Sequence, residues 1–314
     1  MTIANIPVGK FIKTARKQRG WSQDTLGIDI LERSIISKLE RGLYIPPVQK
    51  IAQLLERLGF SADIIGTDEQ QMKSEILACI SNRDIKNAMR LIKKLEDDKK
   101  FMESEKNQQF IFYVKTAVAI VQNELPGKIK ALIKEGLKIT ISDFNDKDVD
   151  KYLLTSNDIQ LINQLTILYW NNNECDAAIT LMTVLIDNFD KNCSDPRYRA
   201  QHYPTLVYNL TSYLHDLGKY KETIPLCDKG IEVCQETHSF SKLPLIIANK
   251  AFSLFHLGDK DGSLHLYRQV FYLFDSYAMY EYKEITRKSV KEKYIRSPNR
   301  WRISLRTSFN VASL

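Results

Sequence analysis

The chain has 314 residues, 44% of them apolar, with a net charge of +7 and five cysteines. That is enough apolar material for two domains with separate cores, so the chain should fold. No apolar run approaches ~18 residues without a charge and no signal-peptide pattern is present, which excludes a helical membrane span and implies a soluble, cytoplasmic protein. The charge is uneven. Residues 1–60 hold ten Lys or Arg against five Asp or Glu, and residues 286–314 hold eight against one, so the middle is acidic. A basic head on an acidic body suits a protein whose head alone meets polyanions.

In chain order, a first helix is predicted from Val8 to Arg19, with Phe11, Ile12 and Ala15 facing inward, Lys10, Lys13 and Lys17 facing out, and Gly20 as its C-terminal stop. The stretch Trp21–Gly42 then reads as two short helices joined by a tight turn. Ser22 is the N-cap of the first, with Asp24 and Thr25 at its positive end and Leu26 as its buried anchor. The second begins near Glu32–Ser34 and sets Ile36 and Leu39 on one face, so that Arg33, Ser34, Ser37 and Lys38 point elsewhere. Such a helix suits a major groove, although the same pattern also describes a small amphipathic helix with a solvated charged face. A stiff Tyr44-Ile45-Pro46-Pro47 loop leads to a helix over Val48–Leu58. Phe60–Ile65 closes this domain, and Gly66-Thr67-Asp68 is the expected hinge.

From about Glu69 to Val290 the pattern is helical nearly throughout. Punctuation at Asn82-Arg83, Pro126-Gly127, Asn172-Asn173, Gly218 and Gly258 recurs about every 45 residues, shortening to 40. A period of that size in a helical region means stacked helix pairs, each unable to bury its apolar face alone. In residues 205–234, Gly218 and Tyr220 match the loop glycine and tyrosine of a tetratricopeptide repeat, with Leu210, Leu214, Cys227 and Gly230 at packing positions. The next unit repeats this with Ala251, Leu254, Gly258, Ser263 and Tyr267; an earlier one adds Ala178 and Met182. HEAT-like or irregular pairs also fit the first two units. The first helices of the pairs should line a concave face, where Asn163, Asn209 and Asn249 recur. An amide that donates and accepts at once suits an extended peptide backbone, and Tyr169, Tyr208, Tyr213, Phe252 and His256 surround these positions as pocket or core residues.

Scattered cysteines without a CxxC pair imply reduced thiols. Cys227 and Cys234, with His215 and His238 nearby, fit buried packing positions better than a zinc site. No phosphate loop, HExxH or nucleophile elbow occurs, so no enzyme, cofactor or metal is expected.

The residues Gln23, Leu26, Ile36 and Glu40-Arg41-Gly42 resemble the XRE-type helix-turn-helix of bacterial and phage repressors, with Gly27 at the small position and a turn one residue shorter than usual. With the helical pairs behind it, nearly the whole chain resembles the Rgg/PlcR/PrgX class of peptide-pheromone regulators. Its length and basic C-terminal extension resemble PrgX-like members most. The resemblance implies an all-α fold: a helix-turn-helix domain over residues 1–66, a tetratricopeptide-like peptide-binding and dimerisation array of about five helix pairs over 67–296, and a basic arm or tail over 297–314. It implies that Gln23 touches phosphate and that Arg16 pairs structurally with Glu40. It further implies a cytoplasmic homodimer, or a tetramer of two dimers, that binds operator DNA and a short apolar signalling peptide held by Asn209 and Asn249, and less directly by Asn163, whose register is displaced by one. In the arm, Trp301, Ile303 and Leu305 alternate as a strand would. An array that only dimerises or receives a partner protein is the alternative.

Overall fold

The structure is a computed structural model that describes residues 8–60 and 68–295. Gly66, Thr67, the segment 61–65 and the arm with Trp301, Ile303 and Leu305 lie outside those residues. Every regular element among the described residues is helical. The chain divides into two compact units, Met1–Glu75 and Ile76–Leu314, and the division falls within a helix over Asp68–Ser81 rather than before it.

The first unit contains α1 (Val8–Gln18), α2 (Gln23–Gly27), α3 (Arg33–Glu40) and α4 (Val48–Arg57). Its core is Ile12, Ala15, Leu26, Ile36, Leu39, Ile51, Leu54, Leu55 and Leu58, with Phe11, Trp21 and Phe60 packed against it. These are the apolar positions at helical spacing in each segment, so local pattern and tertiary burial agree. Gly20 and Gly42, with φ of +67° and +72°, end α1 and α3 in the left-handed conformation that glycine adopts without a Cβ penalty.

α5 (Asp68–Ser81) spans the division, and the second unit continues through α6 (Ile85–Glu96), a short α7 (Lys99–Met102), α8 (Glu105–Val121), α9 (Pro126–Lys138), α10 (Ser156–Asn171), α11 (Cys175–Asn192), α12 (Pro196–Asp216), α13 (Tyr220–Glu236), α14 (Leu243–His256), α15 (Lys260–Ser276) and α16 (Tyr280–Ile295). A 3-10 turn over Asp146–Lys151 precedes α10. One turn design recurs between the members of each pair. Arg83, Asn123, Asn173, Gly218 and Gly258 all have positive φ, between +52° and +95°. In each case that residue's N–H and the next one's bond back into the preceding helix: Gly218 N to His215 O and Lys219 N to Leu214 O, for example, at 2.9 Å each. This Schellman closure satisfies the last carbonyls of the first helix and reverses the chain within three or four residues.

The second break differs from its expected place. It lies at Asn123, and Pro126 instead opens α9 at its first position, where its missing N–H leaves no bond unmade.

Close packing within the array follows from small residues. A Cβ on Gly230 of α13 would stand 2.8 Å from Val207 of α12 and 3.3 Å from Ile246 of α14, so α13 fits between both neighbours only without a side chain there. Cys227 and Cys234 are buried among the same helices, and burial raises the thiol of Cys234 to about 12. Pro204 lies inside α12 and has no N–H for the Ala200 carbonyl; Ser239 Oγ, in the turn before α14, donates to that carbonyl instead at 2.9 Å.

Candidate DNA interface and ligand groove

In the first unit the local signals act as expected. Ser22 Oγ accepts from Thr25 N at 2.9 Å and caps α2. A Cβ on Gly27 would approach Ile36 Cδ1 to 2.7 Å, so glycine allows α2 and α3 to meet. The turn between them is carried by Asp29 at φ +58°. Arg57 of α4 closes it by donating to the carbonyls of Leu26, at 3.1 Å, and of Ile28. Arg57 is far away in sequence, and nothing local announces this role.

Behind α3 stands a buried ion pair. Arg16 donates through Nε to Glu40 Oε1 at 2.7 Å and through Nη2 to Oε2 at 2.9 Å, a bidentate geometry, while its Nη1 donates to the Trp21 carbonyl at 2.6 Å. Burial alone would raise the Glu40 carboxyl, but hydrogen bonds from Arg16 and Gln23, with the charges of Arg16 and Lys13, hold it below its usual value. Gln23 donates to Glu40 Oε2 at 2.9 Å. One amide hydrogen is therefore committed inward.

On the opposite side of α3, Arg33, Ser34 and Lys38 are exposed and Ser37 is half-buried, whereas Ile36, Leu39 and Glu40 are buried. The four named residues thus share one outward arc. Arg33 lies 3.6 Å from Asp24, and both side chains are largely solvated, so that pair restrains Arg33 only weakly.

In the second unit the recurring asparagines form a seam across the first helices of successive pairs. Asn209 Nδ2 of α12 donates to Asn163 Oδ1 of α10 at 2.8 Å, and Asn249 Nδ2 of α14 donates to Thr211 Oγ1 of α12 at 2.9 Å. His215 Nε2 lies 2.8 Å from the Asn249 carbonyl and 2.9 Å from Ser253 Oγ. All three asparagines are buried. Each uses one half of its amide towards a neighbouring helix; Asn163 Nδ2, Asn209 Oδ1 and Asn249 Oδ1 make no hydrogen bond among the described residues.

The aromatic residues divide. Tyr213 stacks on Trp170 with ring centres 4.4 Å apart, and its hydroxyl reaches Thr166. Phe252 and His256 flank Asn249 and meet Tyr220 and His215, with Tyr220 stacked on His256 at 4.5 Å. Tyr208 is buried, with Lys242 over its ring.

Tyr169 does not join this group. Six residues turn it about 120° from Asn163 around α10. Its hydroxyl donates to Asp146 at 2.6 Å, and Lys130 of α9 lies over its ring. Trp170, His215 and Tyr220 are neighbours that sequence reasoning did not place beside the asparagines, Tyr220 being read there as a repeat position and His215 beside the cysteines; Trp170 had a signal, standing next to Tyr169 in the last turn of α10.

Residues 12–65 match the family model described as helix-turn-helix. No curated protein matches the chain in sequence. Among solved structures, PlcR of Bacillus thuringiensis in complex with the peptide PapR7 and DNA overlays with a TM-score of 0.57 at 18% identity, covering 89% of this chain and 98% of that one. The PrgX/iCF10 complex overlays at 0.55 with 13% identity over 94% and 99%. The SHP pheromone receptor Rgg2 of Streptococcus dysgalactiae overlays at 0.52 with 12% identity over 91% and 99%. The chain therefore carries a helix-turn-helix at its N-terminus and shares, over most of its length, the all-helical fold of these three structures.

Proposed function

We propose that this protein is a cytoplasmic transcriptional regulator that binds operator DNA as a homodimer and is controlled by a short apolar signalling peptide. The observation that carries this reading is the asparagine seam. Three amides on α10, α12 and α14 are fixed in place by one half and keep the other half unbonded, in an array behind a helix-turn-helix. An extended peptide offers alternating N–H and C=O groups; Asn209 Oδ1 and Asn249 Oδ1 would accept from the former and Asn163 Nδ2 would donate to the latter. Tyr213, Phe252 and His256 would supply apolar walls. Tyr169 is withdrawn from this set because it faces Asp146 and Lys130.

In the first unit, Arg33, Ser34, Ser37 and Lys38 would meet base edges and phosphates of the major groove, and Gln23 a phosphate. Two heads of a symmetric dimer would read two half-sites, and two dimers can join on DNA as a tetramer. Regulation requires that peptide bind one arrangement of the array better than another.

The PlcR and PrgX structures contain a peptide or a named ligand, PapR7 and iCF10 respectively, which supports the choice of ligand class. A second reading, in which the array only dimerises or receives a partner protein, draws on the burial of the same asparagines.

Calorimetric titration of the full chain with short apolar peptides separates the two. Micromolar or tighter binding, lost in Asn209→Ala, is expected from a peptide receptor; a wild-type protein that binds none of them while still binding DNA points to the second reading.

A further inference from the structure

Residues 1–60 hold five acids among ten basic residues, and four of the five have an evident place. Glu40 is locked to Arg16. Asp24 stands in the first turn of α2, 3.6 Å from Arg33. Asp29 carries the turn between α2 and α3, and Glu56 lines the same open cleft as Asp29 and Arg57. Glu32 is the fifth. It is exposed and makes no ion pair among the described residues.

Glu32 also departs from the local rule for its position. It is the N-cap of α3, with φ −63° and ψ 149°, and its carbonyl accepts from Ile35 N at 3.0 Å and Ile36 N at 3.1 Å, yet its carboxylate caps nothing. At the same position of α2, Ser22 makes the cap bond. Serine, threonine, aspartate and asparagine suit an N-cap because their oxygen falls back onto the first-turn N–H groups, and glutamate is one methylene too long for that. The positive end of a helix attracts any acid, but aspartate would serve that attraction and the cap together. Glutamate gives up the cap for reach. It does so beside Arg33, at the end of α3 whose first residues face base edges when such a helix lies in a major groove.

We infer that Glu32 is a specificity-determining residue whose carboxylate accepts a hydrogen bond from N4 of a cytosine in each operator half-site. The inference rests on the proposed DNA-binding role of the first unit. An unpaired carboxylate at that surface is repelled by every phosphate, so it is accommodated only against a donor. The major groove offers two, cytosine N4 and adenine N6. Adenine presents the acceptor N7 beside its amine, which repels a carboxylate, whereas cytosine presents the amine alone. Arg33, the next residue, has the opposite preference and suits the acceptor pair O6 and N7 of guanine. Glu32 therefore acts in two directions. It adds a bond at the right base, and it weakens binding wherever no amine meets it.

The test uses the full-length protein and duplexes selected by it from a random pool, followed by affinities for the selected duplex with each base pair replaced in turn. The wild-type selection is expected to share a cytosine in each half-site whose replacement weakens binding roughly ten- to hundredfold. In Glu32→Ala that replacement should change affinity by less than about twofold while the penalties at other positions stay as they were. Glu32→Ser supplies a cap of the kind Ser22 gives α2, so it keeps α3 formed and should show the same loss of discrimination. Glu32→Gln, selected anew, should exchange the cytosine for adenine, because an amide donates to N7 and accepts from N6. Three results would overturn the inference: a wild-type selection without a shared cytosine, an unchanged penalty at that cytosine in Glu32→Ser, or a gain or loss of affinity in Glu32→Ser that is equal at every position. A wild-type protein that binds no duplex would overturn both this contact and the role of the head on which it rests.

Discussion

The polar residues of α3 and those of the α10, α12 and α14 seam are similar in kind and opposite in situation. Arg33, Ser34 and Lys38 stand in water with at most one loose partner, whereas Asn163, Asn209 and Asn249 are buried and bonded to adjacent helices. A solvated side chain contributes little to stability and is free to change partners. A buried one must be bonded in the folded state, so it both stabilises the array and restricts what can replace its partner. The face of α3 can therefore be altered without affecting the fold, while changes to the seam affect the fold.

The comparison is sharpest where a charge is buried. Glu40→Ala would leave the Arg16 guanidinium enclosed without its carboxylate, and we expect a loss of about 3–5 kcal/mol from the first unit, measured by denaturant unfolding followed through Trp21 fluorescence. A loss under about 1 kcal/mol would mean that Arg16 escapes to water.

The corresponding sensitive group in the second unit is His202, which lies 2.7 Å from Ser156 Oγ and edge-on to Phe189 and Tyr198. Burial depresses its pKa from 6.5 to about 4, so the unfolded chain takes up its proton first as pH falls. Its contribution is complete above pH 6.5, declines between 6.5 and 4 and is exhausted below that, a total on the order of 3 kcal/mol. Unfolding of the array followed by circular dichroism across that window should show the decline, and His202→Gln should flatten it.

Gly230→Ala tests packing rather than polarity. The added methyl meets Val207 and Ile246, and a loss of about 1–3 kcal/mol in urea unfolding is expected. Asn209→Ala should cost the array about 1–2 kcal/mol, because Asn163 Oδ1 loses its donor while buried, and should abolish peptide binding in calorimetry with operator affinity kept.

The smallest stability effect belongs to Arg33→Ala and Lys38→Ala, within about 0.5 kcal/mol by thermal unfolding. Each should still remove about 1–3 kcal/mol of operator affinity or more by fluorescence anisotropy, with peptide binding unchanged. A substantial drop in stability from either would show that α3 uses its outward face for folding.

Signals confined to a few residues were legible in the chain alone. Ser22 as a cap, Gly20 and Gly42 as stops, the apolar faces of α1 to α4 and the repeating breaks at Arg83, Asn173, Gly218 and Gly258 follow from hydrogen bonds closed within one turn and from φ preferences of single residues. The helix-turn-helix and the helical array were readable for that reason. The outward set on α3 was readable too, since periodicity alone separates it from Ile36 and Leu39.

Contacts between distant residues could be settled only by tertiary structure. Arg57 closes the turn after α2 from thirty-one positions away, and Ser239 serves a carbonyl freed by Pro204. Tyr169, which the repeat places beside Asn163, turns to Asp146 instead. Whether an asparagine bonds its own helix, the next helix or a ligand depends on which acceptor the stacked neighbour brings within about 3 Å. Spacing along one helix carries no information about that neighbour. Sequence by itself thus determined the helices, their breaks and their apolar faces, because these are local; the fold of the array decided which half of each amide bonds a neighbouring helix.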